Sequence, residues 1–139
     1  MRVAFERRER VRFGHCDPAG IVYYPRYFEM LHGLMEDWFN EGLRVNYAEL
    51  LGQRRFGMPT IQLHSDFWRI SRMGDLLRQQ LVVTKLGRTS LGLRTEFHGD
   101  DGPRAAFDQV LVCTSLDTHQ SVPFPADLRA ALESCIDEH

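Results

Sequence analysis

Residues 13–32 read FGHCDPAGIVYYPRYFEMLH, and a change of pattern inside them decides the fold. Upstream, Val3, Phe5, Val11 and Phe13 share one parity while Glu6, Arg8, Arg10 and Arg12 share the other. That alternation predicts a strand with one dry face over residues 3–13. Gly14 to Gly20 breaks it. From Pro25 the period becomes helical: Tyr27, Leu31, Leu34, Met35 and Trp38 form one stripe, which Phe28, Met30 and Phe39 widen. Pro25 suits the first helical position, where its missing N–H is no loss. Gly42 suits the stop. A helix apolar over so much of its circumference is expected to be buried.

Working outward, a short helical piece is expected over Tyr47–Gln53. Four strand-like runs follow, near Thr60–Ile70, Leu76–Leu86, Ser90–His98 and Arg104–Leu116. The third alternates most clearly, with Leu91, Leu93, Thr95 and Phe97 against Gly92, Arg94, Glu96 and His98. The links SRMGD, GRT and GDDGP are too short for parallel crossovers, so they read as hairpins of an antiparallel meander. Phe124–Cys135 reads as a C-terminal helix with Pro125 near its start. A single sheet and one apolar helix bury each other only if the sheet wraps the helix. The expected class is therefore α+β, a hotdog fold of about five strands, with residues 1–139 as one domain. The flat sheet edge and open helix end favour a homodimer or homotetramer.

Composition narrows the chemistry. The chain has 139 residues, 43% hydrophobic and 26% charged, with a formal net charge of -2. That balance suits a folded soluble domain and argues against nucleic acid as the partner. The locally basic ERRERVR (Glu6–Arg12) is interrupted by acids and reads as a solvated strand face. Cys16, Cys113 and Cys135 are odd in number and form no Cys-x-x-Cys pair, which argues against disulfides and structural zinc. The N-terminus has no signal-like apolar core and no long apolar run follows, so the expected setting is cytoplasmic and off the membrane. Six scattered histidines show no metal-binding spacing, and no Gly-x-Ser-x-Gly elbow occurs. No metal and no cofactor are expected.

Taken alone, Asp17 before a proline in a glycine-containing loop reads as a turn or a helix cap as readily as a functional acid. The longer run FGHCDPAGIVYYPRYFEMLH resembles the signature of the 4-hydroxybenzoyl-CoA thioesterase family of hotdog proteins: an Asp, a small residue, Gly, branched or aliphatic residues, aromatics, then a Tyr-containing helix start. The resemblance implies acyl-CoA thioester hydrolysis, with the family's catalytic carboxylate at Asp17. The chemistry is compatible. An ionised carboxylate can attack a thioester carbonyl or take a proton from water. The oxyanion that forms needs donors, and a helix start offers unpaired N–H groups at the positive end of its dipole. The backbone N–H of Tyr24 is the expected donor.

Four further residues are candidates for substrate contact. His15 stands where some relatives carry an acid, two residues before Asp17; it could orient Asp17 or be an ordinary loop histidine. His32 stands where the resemblance places a carboxylate that meets a substrate phenol, which argues against sharp 4-hydroxybenzoyl specificity. Lys85 and Arg88, on the TKLGRTS hairpin (Thr84–Ser90), could hold the cofactor phosphates of an acyl-CoA or be solvated charges. LHSDFWRI (Leu63–Ile70), in which Ser65 and Phe67 share a face with Leu63, could line the acyl pocket across a dimer interface or be ordinary core. The alternative functions are a hotdog dehydratase or hydratase using His15 or His64, and a non-catalytic acyl-CoA or acyl-carrier binding module.

Overall fold

In the computed structural model, which describes residues 2–136, the opening strand is shorter than its alternation implies. β1 spans Phe5–Arg10. Val11 then turns into the core, and Phe13 starts a 3-10 turn and is 82% exposed, so it does not extend the dry face. That face is not dry either. Arg7 and Glu9 share the parity of Phe5 and are half-buried beneath the long helix. Arg7 donates through Nε to Gln79 Oε1 (2.8 Å), through Nη1 to Asp37 Oδ2 (2.7 Å), and through Nη2 to Glu9 Oε1 (3.0 Å) and the Met30 carbonyl (2.9 Å). Gly33 makes room for this: a Cβ there would lie 3.3 Å from Arg7 Nη1. One guanidinium thus ties the helix to the sheet through bonds that no hydrophobic pattern reveals.

Removing it should be felt. Arg7→Ala leaves Glu9 and Gln79 short of a partner, and breaking a fully buried pair costs about 3–5 kcal/mol. The Arg7 and Glu9 side chains keep 21% and 27% exposure, so water compensates in part. We expect a loss of about 2 kcal/mol, read as a lower urea midpoint at unchanged slope. An unmoved midpoint would show the network to be solvated rather than structural.

The long helix α1 spans Tyr24–Asp37, with Tyr23 as N-cap, so Pro25 occupies its second position and not the first. Its stripe of Tyr27, Met30, Leu31, Leu34 and Met35 is buried as the spacing requires. A single π-type turn, Trp38–Gly42, ends it and carries the fully buried Trp38 and Phe39. α2 is Tyr47–Gly52, capped by Asn46, whose side chain accepts from the Glu49 N–H. β2 (Phe56–Gly57), β3 (Thr60–Phe67), β4 (Leu76–Leu86), β5 (Ser90–Gly99), β6 (Gly102–Val112) and β7 (Thr114–Ser115) follow, then α3 (Ala126–Glu133). The small β2–β7 ribbon was not expected from the sequence.

The five long strands form one antiparallel sheet in the order β1-β4-β5-β6-β3, wrapped on α1 as expected. The meander is corrected in one place. β4, β5 and β6 are consecutive hairpins, but β3 pairs with β6 at the far edge and not with β4. The link over residues 68–75 is therefore a crossover along the end of the sheet. Alternating directions still make β3 and β4 antiparallel, so eight residues suffice to span three strand spacings of about 5 Å each. This crossover builds one wall of the candidate site.

Inner-face positions form continuous rows: Gln79, Phe97 and Ala105 are neighbours, then Leu81, Thr95 and Phe107. The row continues onto β3, where Leu63, Ser65 and Phe67 oppose Gln109, Phe107 and Ala105, so these three do share the helix-side face. α1 does not cover them fully, and Ile61, Leu63, Phe67, Trp68 and Ile70 are all exposed. Among the described residues, no helix is long and apolar enough to cross a membrane.

Candidate active site

The loop between β1 and α1 folds back on itself. Asp17 N–H donates to the Ile21 carbonyl (3.0 Å), Tyr23 N–H to the His15 carbonyl (2.9 Å), and Cys16 bridges Val22. The turn at the tip is closed by Gly20 N–H on the Asp17 carbonyl (2.9 Å), and Gly20 has φ +77°, where a side chain would be strained. Asp17 Oδ1 accepts from the Ala19 N–H (2.9 Å), an Asx turn. The carboxylate is half-buried, and its Oδ2 has no hydrogen-bond partner among the described residues.

The helix start leaves the Tyr24 N–H open. Arg26 N–H is taken by the Tyr23 carbonyl (2.8 Å), and Pro25 has no N–H. Tyr24, the first helical residue, keeps an N–H with no acceptor among the described residues. The chain from Asp17 to Tyr24 thus holds an open carboxylate oxygen and an open amide on one short, hydrogen-bonded segment.

The crossover packs against this segment. Val22 N–H donates to the Ser71 carbonyl (2.9 Å), Met73 N–H to the Gly20 carbonyl (3.1 Å), and Ile21 bridges Arg72. The buried Arg104 on β6 locks the crossover. Its Nη1 reaches the Ile70 carbonyl (3.0 Å), Ser71 Oγ (3.1 Å) and Asp75 Oδ2 (2.9 Å), and its Nε reaches Asp101 Oδ1 (2.8 Å). The Asp75 carboxyl is held below its ordinary range, first by the Arg72 N–H and then by the Arg104 guanidinium, against the opposing effect of burial.

Between helix start and crossover opens a depression of about 240 Å³, walled by Val22, Tyr24, Tyr27, Phe67, Trp68 and Ile70 with Ser71 behind them. The Phe67 ring lies 5.5 Å from Tyr27 and 6.3 Å from Phe28, within the range of favourable aromatic pairs. Burial raises the Tyr27 hydroxyl above its ordinary pKa, opposed by its hydrogen bond with Ser71. Sequence reasoning assigned Tyr27 to the core and missed Ser71, whereas Phe67, Trp68 and Ile70 belong to the LHSDFWRI stretch read as a possible acyl-pocket lining. Trp68 and Ile70 carry apolar side chains past the end of β3 at Phe67.

The other candidates are dispersed. His15 Nδ1 accepts from the Arg12 N–H (2.8 Å), so the ring caps the 3-10 turn and makes no hydrogen bond to Asp17. His32 is exposed on α1, about 12 Å along the axis from Tyr24; its ring stands edge-on to Tyr47 at 6.1 Å, and it does not line the aromatic depression. Lys85 and Arg88 lie at the hairpin end of β4, about 30 Å from Leu76 and the sheet end that carries Asp17, at 3.3 Å per residue. Within one chain they are not brought to Asp17. His64 faces outward, its Nε2 3.3 Å from Asp66 Oδ2, and so leaves no hydratase-like pair with the pocket. Cys113 is buried and its thiol is pushed up to about 11, which leaves it protonated and poorly nucleophilic.

A curved antiparallel sheet on one buried helix, with its loop and helix start beside an aromatic pocket, defines a hotdog-fold domain. The chain belongs to the thioesterase-like superfamily, which matches residues 11–132. It is 26% identical over 128 residues to the 1,4-dihydroxy-2-naphthoyl-CoA hydrolase of Synechococcus elongatus, covering 91% of this chain and 93% of that one. It is 27% identical over 84 residues to the 4-hydroxybenzoyl-CoA thioesterase of a Pseudomonas species, covering 60% of each. A solved thioesterase-superfamily structure from a Jannaschia species superposes with a TM-score of 0.87 at 27% identity, covering 97% of this chain and 94% of that one. The expectation of an acyl-CoA thioesterase is borne out at the level of family.

Proposed function

We propose that this chain hydrolyses the thioester of aromatic acyl-CoA substrates, extending to short and medium acyl groups, with Asp17 as nucleophile or general base and the Tyr24 N–H as oxyanion donor. The observation that carries the reading is the pocket of Tyr24, Tyr27, Phe67 and Trp68 rings beside the open Tyr24 amide at the helix start. A flat aryl group fills such a pocket, and its carbonyl oxygen then lies near the donor. Relatives named for hydroxylated aromatic acyl-CoA esters support the same class.

The active unit is proposed to be a homodimer or a homotetramer built from it. The exposed Leu63, Phe67, Trp68 and Ile70 along the β3 edge suit a second copy laid antiparallel, edge to edge. A two-fold axis there brings the hairpin end of one copy to the catalytic side of the other. Lys85, Arg88 and His32 meet substrate only in that arrangement.

The test is kcat/KM over benzoyl-, 4-hydroxybenzoyl-, butyryl- and lauroyl-CoA. Aromatic esters should lead. The preference for the ring hydroxyl should stay far below the ~10⁴-fold that a site built around one hydroxyl achieves, because an exposed His32 is a poor fixed acceptor. A marked lead for lauroyl-CoA, or no thiol release from any ester, would overturn the reading. If His32→Ala shifts no acyl preference, His32 serves only to pack on Tyr47.

A further inference from the structure

The aromatic depression is walled by rings and aliphatic side chains, apart from Arg69, whose guanidinium is taken up by Asp101. Two hydroxyl residues also line it, Tyr27 and Ser71, which are 5% and 1% exposed. The Tyr27 ring is held among Phe67, Phe97 and Phe107, with centroids 5.5, 6.0 and 6.4 Å away. None of those rings carries a hydrogen-bonding atom. The ring is fixed by packing, and its hydroxyl must find partners elsewhere.

The direction of the hydrogens follows from Arg104. Its Nη1 donates to Ser71 Oγ (3.1 Å). A guanidinium has no acceptor, so this bond takes a serine lone pair and leaves Ser71 its hydrogen. Ser71 is buried, and a buried donor needs an acceptor within the protein. The Tyr27 oxygen, hydrogen-bonded to Ser71, is that acceptor. The chain therefore runs from Arg104 to Ser71 to Tyr27, and the phenol keeps its own hydrogen. That hydrogen has no acceptor among the described residues. The open space shared by Tyr27 and Ser71 is the depression itself.

We propose that Tyr27 is a specificity-determining residue whose O–H donates to an oxygen substituent on the substrate's aryl group. The proposal rests on the thioesterase reading and narrows its substrate class to aryl esters that carry an acceptor oxygen, as a hydroxyl or an alkoxy group. The sense of the bond matters. A group that donates takes a methoxy oxygen as readily as a hydroxyl, whereas a group that accepts takes the hydroxyl alone. One neutral hydrogen bond gives a modest preference, about threefold to tenfold.

The test uses the full chain, the variants Y27F and S71A, and two pairs of esters matched in size. These are 4-hydroxy- with 4-methylbenzoyl-CoA, and 4-methoxy- with 4-ethylbenzoyl-CoA. Intrinsic ester reactivity cancels when each kcat/KM ratio is compared between wild type and variant. Y27F should lower both oxygen-to-alkyl ratios ~3–10-fold and leave the alkyl esters within about twofold of wild type. S71A keeps the donor but frees its direction, and should lower the same ratios by a smaller factor. The S-(4-methoxybenzyl) and S-(4-ethylbenzyl) thioethers of CoA have no carbonyl to attack, and they give the same comparison as calorimetric Kd. Ratios unchanged in Y27F overturn the proposal. Equal loss on all four esters does so too, because it would mean a packing role. A wild type that favours the hydroxyl over methyl but not methoxy over ethyl would make the group an acceptor and overturns the proposal without any variant. No thiol release from any ester, with a Tyr27-dependent Kd difference between the thioethers, would sink the thioesterase reading and leave the site standing. Ready hydrolysis with no oxygen preference does the reverse.

Discussion

Asp17→Asn is expected to lower kcat by at least ~10²-fold while leaving the fold and CoA binding intact. The substitution is clean at this position for a structural reason. Asp17 Oδ1 accepts from the Ala19 N–H and so closes the Asx turn. An asparagine carbonyl accepts the same bond, and Asn is as much at home in such turns as Asp. The loop geometry that presents the segment up to Tyr24 therefore survives. What is lost is the anion. The unpartnered Oδ2 becomes an amide nitrogen, which neither attacks a carbonyl nor takes a proton from water at neutral pH. Two measurements separate chemistry from folding: kcat on the best aromatic ester, and Kd for free CoA. A fall in kcat with Kd within about threefold assigns Asp17 to the reacting atoms. A variant with wild-type kcat would show that Asp17 is a turn residue and that another group activates water.

What the sequence revealed of this site follows its locality. Asp17 and Tyr24 lie on one short segment, so the acid, the glycine turn and the helix start were readable together. The pocket joins Val22, Tyr24 and Tyr27 to Phe67, Trp68 and Ile70, and only the crossover brings the two stretches into contact. SRMGD looks the same whether it closes a hairpin or runs along the sheet end, because both join antiparallel strands by a short path. Strand neighbours are chosen by packing on α1, and alternation does not encode that choice. The same limit explains Arg7. Periodicity placed Phe5 inward, but a charged residue at the next inward position looks like an error in the pattern until its four hydrogen bonds are seen. Arg104 is similar: its burial depends on Asp75 and Asp101, which its own strand does not announce. For Lys85 and Arg88 the charges were visible but their distance from the loop was not, since it depends on the length and direction of β4.

The proposed oxyanion donor can be tested by a pair of substitutions at Tyr24. Tyr24→Pro deletes the open N–H at the helix start, and the local backbone accepts the change. Tyr24 is the first helical residue, a position where proline's fixed φ already fits and no intrahelical bond is lost. A proline there requires the preceding residue to be extended. Tyr23 is extended, with φ -72° and ψ 123°. The fold should therefore persist, with α1 and its buried stripe unchanged. Loss of a single oxyanion donor typically lowers kcat by ~10²–10³-fold, and that is the expected fall here. The tyrosine ring also walls the aromatic depression, so a control is essential. Tyr24→Ala removes the same ring and keeps the amide. It should raise KM for aromatic esters by up to ~10-fold through lost contact area, with a much smaller change in kcat. The quantity that decides is the kcat ratio between the alanine and proline variants. A ratio of ~10² or more assigns the transition-state role to the backbone N–H. A ratio near one, with both variants folded by circular dichroism, would move the oxyanion donor elsewhere and leave Tyr24 as a wall of the acyl pocket.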